Sequence, residues 1–187
     1  HMGISLTSFV ANCWKCGNHR FRNSLLQITG WSVDKLSAEL GHVELDQEAG
    51  KKEASGILEM PKGIKPMSRP HRAYLKKRGF KHKEIFKLWA VHGIGVSSKL
   101  PWRLFIPIIY HGDTVSWTTR SINDDVSHRY ISASPEEEKI RHKDILYGID
   151  YARHCCIVVE GPLDVWAIGP GSVATCGTGF STDQLEA

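Results

Sequence analysis

Ile157-Val158-Val159-Glu160-Gly161-Pro162-Leu163-Asp164 sets an acid where an apolar strand ends and a helix begins. A short β-branched run of this kind reads as a strand of the buried type. Proline suits the first turn of a helix, so Pro162 opens one over Leu163–Ile168. A carboxylate at the carboxyl end of a strand in an open α/β sheet stands in the crevice where ligands bind. Gly161 then leaves room for close approach of a substrate or metal. Val173–Cys176 reads as a second strand followed by small residues, and Ser181 as the cap of a further helix. Taken alone, strand-Glu-Gly-Pro-helix is also what an ordinary helix cap looks like. One carboxylate is too few for two-metal phosphoryl transfer.

Upstream the pattern is different. Arg103–Tyr110 and Thr114–Arg120 are β-rich runs joined by His111-Gly112-Asp113, a hairpin signal, and Arg129–Ser132 adds another strand. Arg72–Lys77 and Lys83–Val91 carry helical spacing, the second with Ile85, Phe86, Leu88 and Trp89 on one face. Residues 42–66 are polar, glycine-bearing and without a period, which reads as a linker. Before it come a strand, a tight turn and a return over residues 9–20, then short helices near Asn23–Ile28 and Val33–Leu40 with Gly30 and Gly41 as stops.

Charge is segregated along the chain. Residues 61–130 hold 14 Lys/Arg against 4 Asp/Glu, a net of +10, so the rest, with 10 against 16, carries −6. Arg69, Arg72, Lys76, Lys77, Arg78, Lys81 and Lys83 are interleaved with His71, Tyr74, Phe80 and His82. The bland reading is a solvated helix face. The excess nevertheless continues into the β-rich part at Arg103, Arg120 and Arg129, beside Trp102, Trp117 and Tyr130. Guanidinium groups and aromatic faces together suit a single strand of nucleic acid, whose phosphates accept paired hydrogen bonds and whose bases stack.

Five cysteines, an odd number, argue against a disulfide framework. Cys13-Trp14-Lys15-Cys16-Gly17-Asn18-His19 can turn two thiolates onto one tetrahedral metal. A closed site needs four ligands, and the sequence has no second such pair. Half of a zinc site, a redox pair and an idle pair all remain open. Cys155, Cys156 and Cys176 read as buried, inert thiols. No apolar run reaches the roughly 20 residues of a membrane-spanning helix, and no signal peptide is evident.

Several of these segments resemble one family, in one order. Val159-Glu160-Gly161-Pro162-Leu163-Asp164-Val165 resembles the first motif of TOPRIM domains. Ala174-Thr175-Cys176-Gly177-Thr178-Gly179 resembles the second strand and turn of those domains, with Gln184-Leu185 at the start of their next helix. Tyr74-Leu75-Lys76-Lys77-Arg78-Gly79-Phe80 is similar to a helix end of bacterial- and phage-type DNA primase cores. Arg103–Ile108, Val115–Arg120, His128–Ile131 and Leu146-Tyr147-Gly148 resemble successive elements of that core, and Ser8–Gly17 the second half of the primase zinc ribbon.

The resemblance implies an α+β fold. Residues 1–41 would be a partial zinc ribbon with following helices, 42–66 a linker, 67–150 a basic subdomain with antiparallel strands, and 151–187 the start of a TOPRIM domain. It implies Glu160 as the catalytic acid near a bound Mg2+ or Mn2+, with Asp164 supporting it from the helix. Arg103, Arg120 and Lys143 would line the groove for template and nucleotide, joined by Arg78 and Arg129. Cys13 and Cys16 would hold half of a Zn2+ site in the intact protein. The implied activity is RNA primer synthesis on single-stranded DNA from ribonucleoside triphosphates, with a replicative helicase as partner, in the cytoplasm of a bacterium or a phage-infected host. The paired aspartates expected later in the family, and the first zinc knuckle, are missing from the sequence. The chain therefore reads as truncated at both ends, and primer synthesis is not expected of it alone. The rivals are a catalytically inactive TOPRIM protein that binds single strands, a topoisomerase- or nuclease-type TOPRIM protein, and an unrelated α/β protein with chance matches.

Overall fold

The computed structural model describes residues 2–5, 10–13, 17–19, 21–40, 53–96, 99–177 and 180–186. The chain divides into two compact units, His1–Lys52 and Glu53–Ala187.

In the first unit β1 (Met2–Ser5), β2 (Val10–Cys13) and β3 (Gly17–His19) form an antiparallel sheet in that order. Helices α1 (Phe21–Thr29) and α2 (Val33–Leu40) come next. Gly30, at φ 66, ends α1 in the left-handed conformation that glycine adopts at little cost. The Ser32 hydroxyl accepts from the Lys35 amide at 3.3 Å and caps α2, whose Leu36 is buried. Cys16, and the side chain of Cys13, lie outside the described residues, so the metal knuckle does too.

The second unit is built on a five-stranded antiparallel sheet, in the order β4 (Ile64–Lys65), β5 (His92–Ile94), β6 (Arg103–Tyr110), β7 (Asp113–Ser121) and β8 (Tyr130–Ser132). His111 and Gly112, at φ 52 and 82, form the two-residue connection between β6 and β7. Positive φ at both positions is the geometry whose twist matches an antiparallel pair. Pro107 lies past the residues of β6 that pair with β5, where a missing N–H is tolerated.

Both faces of this sheet are covered. Leu104, Ile106 and Ile108 point to one face, where α3 (Arg69–Lys77), α4 (His82–Trp89) and α5 (Pro162–Ile168) supply Leu75, Ile85, Trp89, Val165 and Trp166. Phe105 and Trp117 point to the other, with Ile94, Ala133, Leu58 and Ile64. Residues 53–66 therefore do not behave as the linker expected over 42–66. The Glu59 carbonyl accepts the Trp117 indole N–H at 2.8 Å, the Ser55 amide donates to the Pro135 carbonyl at 2.9 Å, and Ile64–Lys65 joins the sheet.

β9 (Ile157–Val159) and β10 (Ser172–Ala174) pair in parallel, joined through α5, and α6 (Thr182–Glu186) comes after them. The Ser181 hydroxyl accepts from the Gln184 amide at 3.1 Å, and the Gln184 side chain accepts from the Ser181 amide at 3.2 Å. That reciprocal box is the expected cap. The expected burial of β9 is not found, since Ile157 is 57% exposed. A strand of this type is buried when both faces and both edges are covered. Among the described residues β9 has one strand neighbour, and only Val159 packs against the core. Cys155 and Cys156, just before it, are likewise exposed rather than buried. Among the described residues no helix is long and apolar enough to cross a membrane.

Candidate functional site

Glu160 leaves the end of β9 and lines a cavity of about 460 Å³ with Asp164 of α5. Its lining is also basic and aromatic: Arg78 at the end of α3, Arg120 of β7 and Tyr130 of β8. Thr118, Ser132, Cys176 and Gly177 complete the lining. Acid and guanidinium groups more than 80 residues apart in the chain at their extremes therefore face one space.

The arginines are held in place by two tyrosines. Arg120 Nε donates to the Tyr74 hydroxyl at 3.2 Å, and its guanidinium lies 4.7 Å from the centre of the Tyr130 ring. Arg78 sits 5.0 Å above the Tyr74 ring and 3.8 Å from an Asp124 carboxylate oxygen. An arginine stacked and hydrogen-bonded in this way has lost much of its rotamer freedom, so less entropy is given up when it grips an anion. Although 37% of Tyr130 is open to solvent, its hydroxyl turns inward towards Gly161. Burial pushes that hydroxyl up to about 12, against the nearby Arg120 charge, so it stays a neutral donor.

Glu160 and Asp164 are exposed. Asp164 accepts the Gly161 amide at 3.3 Å, the cap interaction that the bland reading expects, and its remaining oxygen capacity is free to serve the cavity. Gly161 is extended at φ −141, a conformation open to any residue. A Cβ there would stand 3.7 Å from the Asp164 carboxylate and 3.8 Å from the Tyr130 hydroxyl, ordinary contact distances, so the close-approach role expected of this glycine is not required by the packing around it. Among the described residues no group of three or more His, Cys, Asp or Glu is poised to hold a metal. Two carboxylates suit Mg2+, which keeps several waters and commonly takes one or two carboxylates plus substrate phosphates.

The other expected contacts separate. Arg103 is only 6% exposed and donates to the carbonyls of His128 at 2.7 Å and Arg129 at 3.2 Å. It holds the 122–129 loop and does not line the cavity. Arg129 is exposed, and it does not line the cavity either. Lys143 donates to the Cys176 carbonyl behind the cavity wall, where burial lowers its ammonium pKa. Trp117 is buried and bonded to Glu59, so it offers no face to a base. Cys176 is the inert thiol expected, with burial pushing it up to about 12. Sequence reasoning did not assign Tyr74 as the acceptor for Arg120. Its place one helical turn before Arg78 was visible, and the hydroxyl contact from α3 to β7 was not.

The E. coli primase catalytic core is similar in structure, with a TM-score of 0.54 and 21% identity over 65% of this chain and 52% of that one. Over the matched residues the fold is that of about half of a bacterial primase catalytic core. The RNA polymerase domain of Mycobacterium tuberculosis primase DnaG gives 0.54 at 23% identity, covering 63% of this chain and 52% of that chain. A DnaG primase catalytic domain bound to single-stranded DNA gives 0.54 at 22%, covering 65% and 51%. The chain spans about half the length of the primase cores it matches. No family model and no curated protein sequence matches it.

Proposed function

We infer that this chain is part of a DNA primase, and that the cavity between Glu160 and Arg120 is where the growing primer is extended by nucleotidyl transfer. One observation carries the reading. An acid at the end of a parallel strand and two pre-oriented arginines share one cavity, in a fold like that of primase cores. The guanidinium groups of Arg120 and Arg78 bind phosphate oxygens of the nucleotide or template, and Tyr130 offers its hydroxyl and ring edge beside them. Glu160, with Asp164 beside it, would hold Mg2+ or Mn2+, which when bound neutralises charge at the reacting phosphate. Positioning by the rigid wall contributes much of the rate in such reactions. A TOPRIM domain beginning near residue 151, Zn2+ held by Cys13 and Cys16, ribonucleoside triphosphates as substrates, a helicase partner and a phage or bacterial cytoplasmic setting belong to the same proposal. So does the inability of the 187-residue chain to prime by itself.

The test is Glu160→Gln in the full-length protein. Primer synthesis should fall by about 100- to 1,000-fold, the scale of removing one group that stabilises transition-state charge, while template binding persists. Undiminished priming with ordinary metal dependence would remove Glu160 from the chemistry. Template binding without any priming by the unaltered full-length protein would favour the second reading, a catalytically inactive single-strand binder, which the exposed basic face of α3 also fits.

A further inference from the structure

One acid reaches a cavity arginine without lining the cavity. Asp124, in the 122–129 loop, stands 3.8 Å from Arg78 and 3.7 Å from Lys77, and it is absent from the lining between Glu160 and Arg120. Arg78 itself is fixed at both ends. Its amide closes α3 by donating to the Tyr74 and Leu75 carbonyls, and its guanidinium lies over the Tyr74 ring. Lys76, Lys77 and Arg78 gather at the carboxyl end of the helix, where the dipole favours cations. Positive charge concentrated in this way attracts an anion. In this structure the anion is a carboxylate of the chain itself.

The loop that carries Asp124 is pinned at its two ends. The Ile122 amide donates to the Trp102 carbonyl at 3.0 Å and the Asn123 amide to the Ser121 hydroxyl at 3.1 Å, while Arg103 holds the carbonyls of His128 and Arg129. Among the described residues, positions 124–127 make no polar contact with another element except the two ion pairs of Asp124. The tip can therefore leave Arg78 without breaking a backbone hydrogen bond. Both pairs lie beyond hydrogen-bond distance, and 56% of the Asp124 side chain is open to solvent. Ion pairs of this kind are weak. A phosphate carries more acceptor oxygens and makes short, paired bonds to a guanidinium, so it outcompetes such a carboxylate. We propose that Asp124 is a built-in competitor for phosphate, occupying Arg78 until a phosphate of the nucleotide or of the DNA strand displaces it. Anions that bind more weakly than Asp124 are thereby kept off Arg78. This rests on the reading of the cavity as a place where phosphates are held.

The experiment measures affinity of the full-length protein for two probes: labelled single-stranded DNA of about 5 nucleotides, a short single-strand site, and ATP with Mg2+. Asp124→Asn should bind at least one of them about 2- to 5-fold more tightly at low salt, the scale of an exposed ion pair. The probe that gains identifies which phosphate displaces the carboxylate. The gain should shrink as salt rises from about 0.01 to about 0.15 M and the screening length falls from about 30 to about 8 Å. Asp125→Asn removes the same charge one residue away, where among the described residues no ion pair is made, and should gain clearly less. In an Arg78→Gln background, Asp124→Asn should add no more than Asp125→Asn does, because the contact it relieves is gone. Unchanged or weaker binding of both probes by Asp124→Asn would overturn the proposal, and weaker binding would make Asp124 a support for Arg78. An equal gain from Asp125→Asn would reduce the effect to the general field and would also overturn it. Those outcomes leave the cavity reading intact as long as Arg78→Gln alone weakens binding. Binding of both probes that is indifferent to Arg78→Gln would sink the cavity reading, and the competitor with it.

Discussion

Arg103 and Arg120 stand on neighbouring strands, and their fates differ because side chains alternate across a sheet. Arg120 is opposite Leu104, and Arg103 is opposite Ser121. Arg120 therefore shares the face of Leu104, Tyr130 and the cavity, while Arg103 points the other way into backbone carbonyls. Arg103→Lys should cost about 1–3 kcal/mol, because a single ammonium cannot reach both carbonyls and at least one hydrogen bond from a charged donor is lost. A denaturant midpoint well below wild type with short-strand DNA affinity intact is the expected pair of results; lost affinity in a normally stable variant would return Arg103 to the binding surface. The acidic run Glu136-Glu137-Glu138 conceals another structural residue. Glu138 is 1% exposed, and burial works to raise its pKa. The hydrogen bonds from His142 and from the Ser116 hydroxyl at 2.6 Å outweigh that and hold it below the usual value. A depressed folded-state pKa contributes stability that is present above the unfolded value of about 4.3 and is lost as pH falls through the folded one. Urea midpoints followed from pH 7 to 3 should fall more steeply for wild type than for Glu138→Gln; parallel acid limbs would show that Glu138 is not linked to folding.

At the level of elements, the parallel pair β9–β10 is fastened to the rest of its unit at Gly148. The Tyr147 amide donates to the Ala174 carbonyl and the Ala174 amide returns the bond to Tyr147, both at 2.9 Å. The chain then turns at Gly148 with φ 87, where a Cβ would stand 2.9 Å from the Ser172 carbonyl oxygen. Gly148→Ala meets a disfavoured φ and a backbone collision together, and should destabilise the protein by about 2–3 kcal/mol. Thermal or denaturant unfolding measures this directly, and a change under about 0.5 kcal/mol, the range of an ordinary surface substitution, would mean that the bridge is not tightly fixed. Hairpin β6–β7 and helices α3 to α5 were legible because turn residues and apolar spacing are local signals. Strands β1, β4 and β5 were not legible. They are two to four residues long, too short for an alternating pattern to stand out, and β4 meets its partner only where Ile64 pairs with Ile94 and Lys65 with Gly93.

For the second unit as a whole, one core joins the segments that sequence divides at about residue 150. Trp89 of α4 stacks at 5.6 Å on Tyr147, whose hydroxyl accepts the Trp166 indole N–H at 2.8 Å, and Phe80 meets Trp166 edge-on. Val165 and Ala174 belong to the same cluster as Leu75 and Leu104. Residues 53–187 should therefore unfold as one cooperative step. Coincident transitions by near-ultraviolet and far-ultraviolet circular dichroism are expected for that stretch; two separated transitions would establish two domains.

The sequence by itself determined the order of strands and helices after residue 67 except for β5, the charge division, and the place of Glu160 between strand and helix, since each depends on residues close together in the chain. Tertiary structure alone decided which arginines face that acid, that Tyr74 holds two of them, that Glu138 is buried, and that β9 is exposed. Those outcomes depend on which face and which neighbour each side chain meets after distant segments pair, and no spacing along the chain encodes that.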